Sequence, residues 1–227
     1  MSIWHSALTA LLPQDCLLCG ALSGDALLCG QCSDDLPRLP EASCPVCAEA
    51  SPGGQVCGSC LQQAPHFDAT IAAFRYGFPV DKLIQSLKYR RRLAPADFLA
   101  AAMLAGVRPG GDIVVPVPLA LPRLRERGFN QAVELARPLA RVLHLPLELD
   151  GCRRCRDTLP QATLPWKMRQ KNIRHAFECS LDLSGKAVIV VDDVMTTGAT
   201  LDEFARSLKA HGATRVVNWV AARTLQD

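Results

Sequence analysis

Eight of the eleven cysteines fall in residues 16–60 as four CxxC pairs: Cys16/Cys19, Cys29/Cys32, Cys44/Cys47 and Cys57/Cys60. Nine residues separate the two pairs of each quartet, and every cysteine of the first quartet recurs 28 positions later, the mark of a duplicated unit. In a CxxC knuckle two thiolates point the same way, and two knuckles complete a tetrahedral zinc site. Four thiolates per ion leave no position for water, so the pattern predicts two structural Zn²⁺ sites and no catalytic one. The duplication favours pairing within each quartet over a cross-brace. Disulfides are the alternative for an even number of cysteines, and a reducing compartment disfavours them.

A different chemistry is written in residues 187–201, AVIVVDDVMTTGATL. Five apolar residues run into Asp192 and Asp193. Thr196, Thr197, Gly198, Ala199 and Thr200 then lead into a helical pattern. Successive amides at such a turn form an anion nest, reinforced by the positive end of the helix dipole. The spacing of Thr200 and Glu203 also fits a capping box. The stretch is not a Walker A loop, since GxxxxGK[ST] is absent, and it suits a terminal monophosphate. Two carboxylates beside a phosphate repel it unless they hold something else, such as sugar hydroxyls or Mg²⁺. Phosphate plus vicinal hydroxyls describes ribose 5-phosphate; a pair of solvated acids ending a strand is the plainer alternative.

These groups need elements to position them. At 227 residues, 49% hydrophobic, the chain suits one ordinary domain with a small appendage. Residues 1–60 hold one basic residue, Arg38, against six acids, whereas residues 61–227 hold 24 basic residues against 16 acidic. We therefore expect a module over 1–64, made of an N-terminal helix and the two cysteine units, and a second module over 65–227 that attracts an anion. An acidic ribbon is a poor phosphate binder, so a scaffold or docking role suits it better. In the larger module, apolar strand patterns (TIAAFRYGF, GDIVVPVPL, KAVIVV, TRVVNWVAA) alternate with helical ones (PVDKLIQSLKYRRR, ADFLAAAMLAG, NQAVELARPLARVL, TLDEFARSLKAHG). That alternation predicts a doubly wound α/β domain with a parallel sheet, its ligand beyond the carboxyl ends of the strands. No apolar run reaches the ~18 residues of a membrane span, and the opening MSIWHSALTALLP lacks a basic n-region; no membrane insertion and a cytoplasmic location are expected. Cys152 and Cys155 form a CRRC with no second pair, a minor redox candidate, and Cys179 reads as a buried strand residue.

VIVVDDVMTTGATL resembles the phosphoribosyl-diphosphate (PRPP) signature of type I phosphoribosyltransferases. Together with the paired CxxC start, SLKYRRR, VPVPLALPRLRERGFNQA and RDTLPQATLPWKMRQKNIRHAF, it resembles the ComF family, associated with DNA uptake and natural competence. The resemblance implies a type I phosphoribosyltransferase fold in which Asp192 and Asp193 contact the ribose hydroxyls. It implies that Thr196, Thr197, Gly198, Ala199 and Thr200 form the 5-phosphate loop, and that Mg²⁺ sits on diphosphate and ribose oxygens. A nitrogen nucleophile would displace diphosphate, so leaving-group charge needs stabilising. Arg123 and Arg127, on one helical face, are the expected clamp, with Lys88 reaching in from the end of its helix. Residues 153–174 resemble a mobile hood, with Gln161, Arg169, Lys171 and Asn172 matching the family pattern. PRPP is the expected ligand, and single-stranded DNA and a competence or recombination protein are the possible partners. A non-catalytic PRPP or nucleotide sensor and a DNA-binding adaptor stand as alternatives to the enzyme.

Overall fold

The computed structural model describes residues 14–89, 94–155 and 174–225. The first cysteine unit carries a two-stranded antiparallel ribbon, β1 (Gln14–Asp15) and β2 (Leu22–Gly24), and a one-turn helix α1 (Gly30–Asp34). The second unit ends in the matching turn α2 (Gly58–Gln62). The elements that follow are β3 (Ala69–Arg75), α3 (Val80–Tyr89), α4 (Ala94–Ala105), β4 (Ile113–Pro116), α5 (Leu121–Arg127) and α6 (Gln131–Leu143). After them come β5 (Cys152–Arg154), β6 (Phe177–Cys179), β7 (Ala187–Met195), α7 (Ala199–Ala210) and β8 (Arg215–Arg223).

Strands β3, β8, β7 and β4 form one sheet in that order, and every pair is parallel. The α/β architecture expected from alternating patterns is therefore observed. Near-continuous apolar runs in β7 and β8 are what a strand covered on both faces requires. On one face Phe74, Val114, Ile189, Val191 and Trp219 meet Leu83, Leu99, Met103, Leu135 and Leu139 of α3, α4 and α6. On the other, Val115, Val188, Val190 and Val220 meet Leu201, Phe204 and Leu208 of α7. Trp219, Phe74 and Phe204 are fully buried, each removing apolar surface worth roughly 1.5–3 kcal/mol.

The two cysteine units straddle this sheet. Leu28 and Leu36 of the first join the core on the α3–α4–α6 face, whereas Cys44, Cys47 and Cys60 of the second join the core on the α7 face. The chain between them runs along the edge strand β3. Arg75 N–H donates to Pro37 O at 2.9 Å and Thr70 N–H to Pro45 O at 3.4 Å, and Arg38 lies over the Phe74 ring at 4.7 Å. An edge strand is a template for unwanted pairing, and here the linker at Pro37 and the second knuckle at Pro45 each accept from one of its amides.

Between β4 and β7 the sequence pattern indicated a strand at Cys179, but neither β5 nor its pairing with β6. Strands β5 and β6 pair antiparallel, with Cys152 opposite Cys179 and Arg154 opposite Phe177. Phe177 anchors the pair against Phe204 of α7, ring centroids 4.9 Å apart. Among the described residues no helix is long and apolar enough to cross a membrane.

Candidate functional site

Strand β7 runs through both carboxylates to Met195, further than its apolar run alone indicates. Asp192 and Val194 keep register with Val220 and Ala222 of β8, so the ladder holds residues that hydrophobicity would have released. Successive strand residues face opposite ways. Asp193 is buried at 8% exposure and Asp192 half-buried, and Asp193 N–H donates to Asp192 Oδ1 at 2.8 Å.

Gly198 then turns the chain into α7. It is the residue preceding the helix, at φ +81° in the left-handed region, where an L side chain is strained. A Cβ there would also stand 2.6 Å from Met195 Cε, the movable end of that side chain, so the backbone conformation is the stronger reason for glycine. Ala199 N–H donates to Thr197 Oγ1 at 3.4 Å. A small concavity lined by Asp192, Met195, Thr196, Gly198, Thr200 and Leu201 lies at this helix start. The expected capping box does not form. Glu203 instead accepts from His175 N–H at 2.8 Å and from Arg206 Nη2 at 2.6 Å. Burial works against its ionisation, but the Arg206 guanidinium and the His175 amide outweigh it and hold the carboxyl below the usual range.

Beside the carboxylates lies a cleft of about 150 Å³ lined by Val117, Pro118, Leu119, Arg127, Asn130, Gln131, Arg154, Asp192, Asp193 and Thr200. The two prolines of VPVP end β4 and release the chain towards it. Asn130 closes the turn into α6: its side chain accepts from Ala132 N–H at 3.0 Å while Nδ2 donates to Val117 O at 2.9 Å. Buried Gln131 receives Arg127 Nη1 on its Oε1 at 3.1 Å. Of the two arginines expected to act together, only Arg127 lines the cleft. Arg123 lies one turn earlier on α5, its Nη1 3.7 Å from Glu126 Oε2. Sequence reading missed Arg154, which β5 carries to the cleft and over the Phe177 ring at 5.6 Å. Its neighbours in CRRC gave no hint, because the pairing partner, β6, lies some 25 residues on.

Lys88 belongs to the last turn of α3, but its side chain lies outside the described residues, as do Gln161, Arg169, Lys171 and Asn172. Cys152 and Cys155 do not form a unit, since Cys152 is buried at the start of β5 and Cys155 lies exposed just beyond its end. Cys152 Sγ instead lies 3.2 Å from Cys179 Sγ across the β5–β6 ladder. Burial, with the neighbouring Cys179 thiol, pushes Cys152 well above the usual thiol range. Cys179 is half-buried, not buried as expected, and Cys155 is exposed.

The eight ribbon cysteines gather as Cys16, Cys19, Cys29, Cys32 and as Cys44, Cys47, Cys57, Cys60, with the sulfurs of each set within 4.8 Å of one another. Pairing within each quartet is thus the observed one. Backbone amides serve the sulfurs, as Cys57 N–H does for Cys44 Sγ at 3.3 Å. Burial opposes ionisation of Cys16, yet the amides of Cys19, Cys29 and Leu18 outweigh it and lower the thiol to about 6. For Cys44 burial is likewise outweighed, by the amides of Cys47, Cys57 and Val46, to about 7. Their neighbours move the other way: hydrogen bonding with Cys19 and Cys29 raises Cys32, and burial raises Cys60. Four thiolates this close cannot all ionise without a cation, and the all-sulfur donor sets fit two zinc ions.

Both halves of the chain match described families: a double zinc ribbon domain over residues 7–61 and a phosphoribosyl transferase domain over residues 130–225. Fold and site thus define a phosphoribosyltransferase-type α/β protein carrying a double zinc ribbon. The chain is 35% identical to the DNA utilization protein YhgH of Escherichia coli K12 over 197 residues, 83% of this chain and 87% of that one. It is 31% identical to Competence protein F of Haemophilus influenzae over 174 residues, 72% of this chain and 76% of the relative. It belongs to the ComF/YhgH family. A purine phosphoribosyltransferase from Pyrococcus horikoshii overlaps it with a TM-score of 0.29 at 18% identity, over 69% of this chain and 91% of that one.

Proposed function

We propose that this protein binds PRPP with Mg²⁺ and transfers its phosphoribosyl group to a nitrogen acceptor, in the service of DNA uptake or use. The observation that carries the reading is the junction at the end of β7, where Asp192, Asp193 and Thr200 share a cleft with Arg127 and Arg154, and where Asp192 and Thr200 also line the small concavity at the 196–200 turn. Asp192 and Asp193 offer hydroxyl acceptors for a ribose. The amides and threonine hydroxyls of the turn offer donors for its 5-phosphate. Asp192 and Asp193 are also the hard oxygen donors that Mg²⁺ takes; when bound, the ion would neutralise diphosphate charge. The acceptor nitrogen bonds to the anomeric carbon as the bond to diphosphate breaks. Charge then grows on the leaving oxygens, where preorganised guanidinium groups act most strongly. Arg127, steadied by Gln131, and Arg154 are suited to that task, with Lys88 a further candidate.

An acceptor would enter from a larger, contiguous cleft of about 960 Å³ between α5–α6 and the β5–β6 pair. Its lining mixes apolar Leu119, Phe129, Val133 and Leu149 with Glu134 and Arg137, a surface that accepts a flat base and its polar edge. The DNA context rests on the names of the relatives, DNA utilization protein and competence protein.

Calorimetric titration of zinc-loaded protein with PRPP and Mg²⁺ tests the reading. Wild-type binding that Asp192→Asn/Asp193→Asn weakens by about a hundredfold or more supports it, since each charged hydrogen bond contributes ~1.5–3 kcal/mol. No binding by folded wild type removes it. Binding without diphosphate release for any acceptor, nucleobases and single-stranded DNA included, leaves the ligand-sensing reading in its place.

A further inference from the structure

Arg223 is the last residue of β8 and is 4% exposed. Sheet register sets it beside Met195, the end of β7. Its guanidinium reaches two places at once. Nε donates to Cys47 O at 2.8 Å and Nη2 to Glu49 Oε2 at 3.0 Å. Nη1 donates to Met195 O at 3.3 Å and also to Thr196 O and Thr224 O. One fork therefore joins the second cysteine site to the entrance of the 196–200 turn.

Each contact is itself fixed. Cys47 is a ligand candidate of the second quartet, and the Glu49 carbonyl accepts from Cys44 N–H at 2.7 Å, closing the knuckle. A cavity of about 160 Å³ lined by Cys57, Cys60, Phe67, Met195, Thr197 and Gly198 lies alongside, so ribbon and turn are spaced apart there while Arg223 spans them. In a trans peptide the C=O and the next N–H point opposite ways. With Thr196 O held by the guanidinium, Thr197 N–H is turned away from it, the orientation from which an anion nest opens. Five donors in a rigid plane can hold this arrangement; a lysine cannot.

We propose that Arg223 is a positioning residue for the 196–200 turn, and that through it zinc at Cys44, Cys47, Cys57 and Cys60 sets how tightly that turn is held and how well it binds phosphate. The second half rests on the reading of the turn as a phosphate site. Linkage makes the effect reciprocal: PRPP would tighten the second zinc site by the same factor.

Hydrogen exchange over residues 195–201 of the full chain is the test, with zinc content measured in parallel. Loss of zinc from the second quartet (Cys57→Ser) should raise exchange there about tenfold, within the 5–150-fold range of typical couplings. Loss from the first quartet (Cys29→Ser) should leave it unchanged. Arg223→Lys and Arg223→Gln should raise exchange in fully zinc-loaded protein, and the volume-conserving Glu49→Gln by a smaller factor. A parallel tenfold fall in PRPP affinity, with zinc loading no longer affecting PRPP affinity in Arg223→Gln, completes the expected result. Unchanged exchange after loss of the second zinc overturns the inference whatever PRPP does. Raised exchange in a protein whose wild type binds no PRPP overturns the phosphate half and leaves the positioning role standing.

Discussion

Residues 14–64 and the parallel-sheet domain hold their shapes by different means. In the ribbons half of the buried residues are cysteines, Cys16, Cys44, Cys47 and Cys60, joined by Leu28, Leu36, Ala48 and Ser51. In the sheet domain, Trp219, Phe74, Phe204 and 21 leucines, isoleucines and valines are buried. A segment of some 50 residues buries too small a fraction of its surface to fold readily on apolar contacts alone, and zinc at the two four-sulfur sites would make up the difference. The comparison teaches that the ribbon's fold and its cysteine chemistry are one property, whereas the sheet can give up residues at its rim to a ligand.

Stripping the metal should separate the two most sharply. Structural zinc contributes ~10–16 kcal/mol in zinc-finger peptides, so chelation should leave amides of residues 16–60 exchanging freely while β7 and β8 remain protected. Simultaneous loss of protection in β7 and β8 would erase the distinction. The converse is a cavity in the sheet core. Phe204→Ala should cost about 3–5 kcal/mol in denaturant unfolding while two zinc ions per chain stay bound; loss of metal in that variant would tie the halves together. The smallest effect concerns Glu203, a buried residue of α7. Its folded carboxyl lies below the ordinary value of 4.5, so the unfolded chain takes up a proton first as pH falls. The stabilisation is complete above that value and is lost as pH drops through the folded value. Glu203→Gln should flatten this part of the acid-unfolding curve, and an unchanged curve would mean that Arg206 and His175 do not hold the carboxylate.

Legibility in the sequence followed distance along the chain. The CxxC spacing, the apolar strands, the Asp192–Asp193 pair and the turn at Gly198 are local patterns, and all were readable from neighbours within a few residues. Arg123 looked equivalent to Arg127 because helical spacing records a face and not what that face meets. Glu203 matched a capping box, yet His175 and Arg206 claim its oxygens. Arg154 drew no particular attention, and Cys179 was placed in a strand but not beside Cys152, because the strand pairing that positions them closes over a long intervening segment.

By itself, then, the sequence determined two four-sulfur sites, an α/β domain and an acid-pair turn, because thiolate spacing, side-chain periodicity and backbone turn chemistry act over a handful of residues. Tertiary structure alone decided that Arg127 and Arg154 share a cleft with the carboxylates, that Pro37 and Pro45 accept amides of β3, and that Arg223 joins Cys47 and Glu49 to Thr196. Those contacts bring together groups up to 176 positions apart, and only sheet order and burial make such groups neighbours.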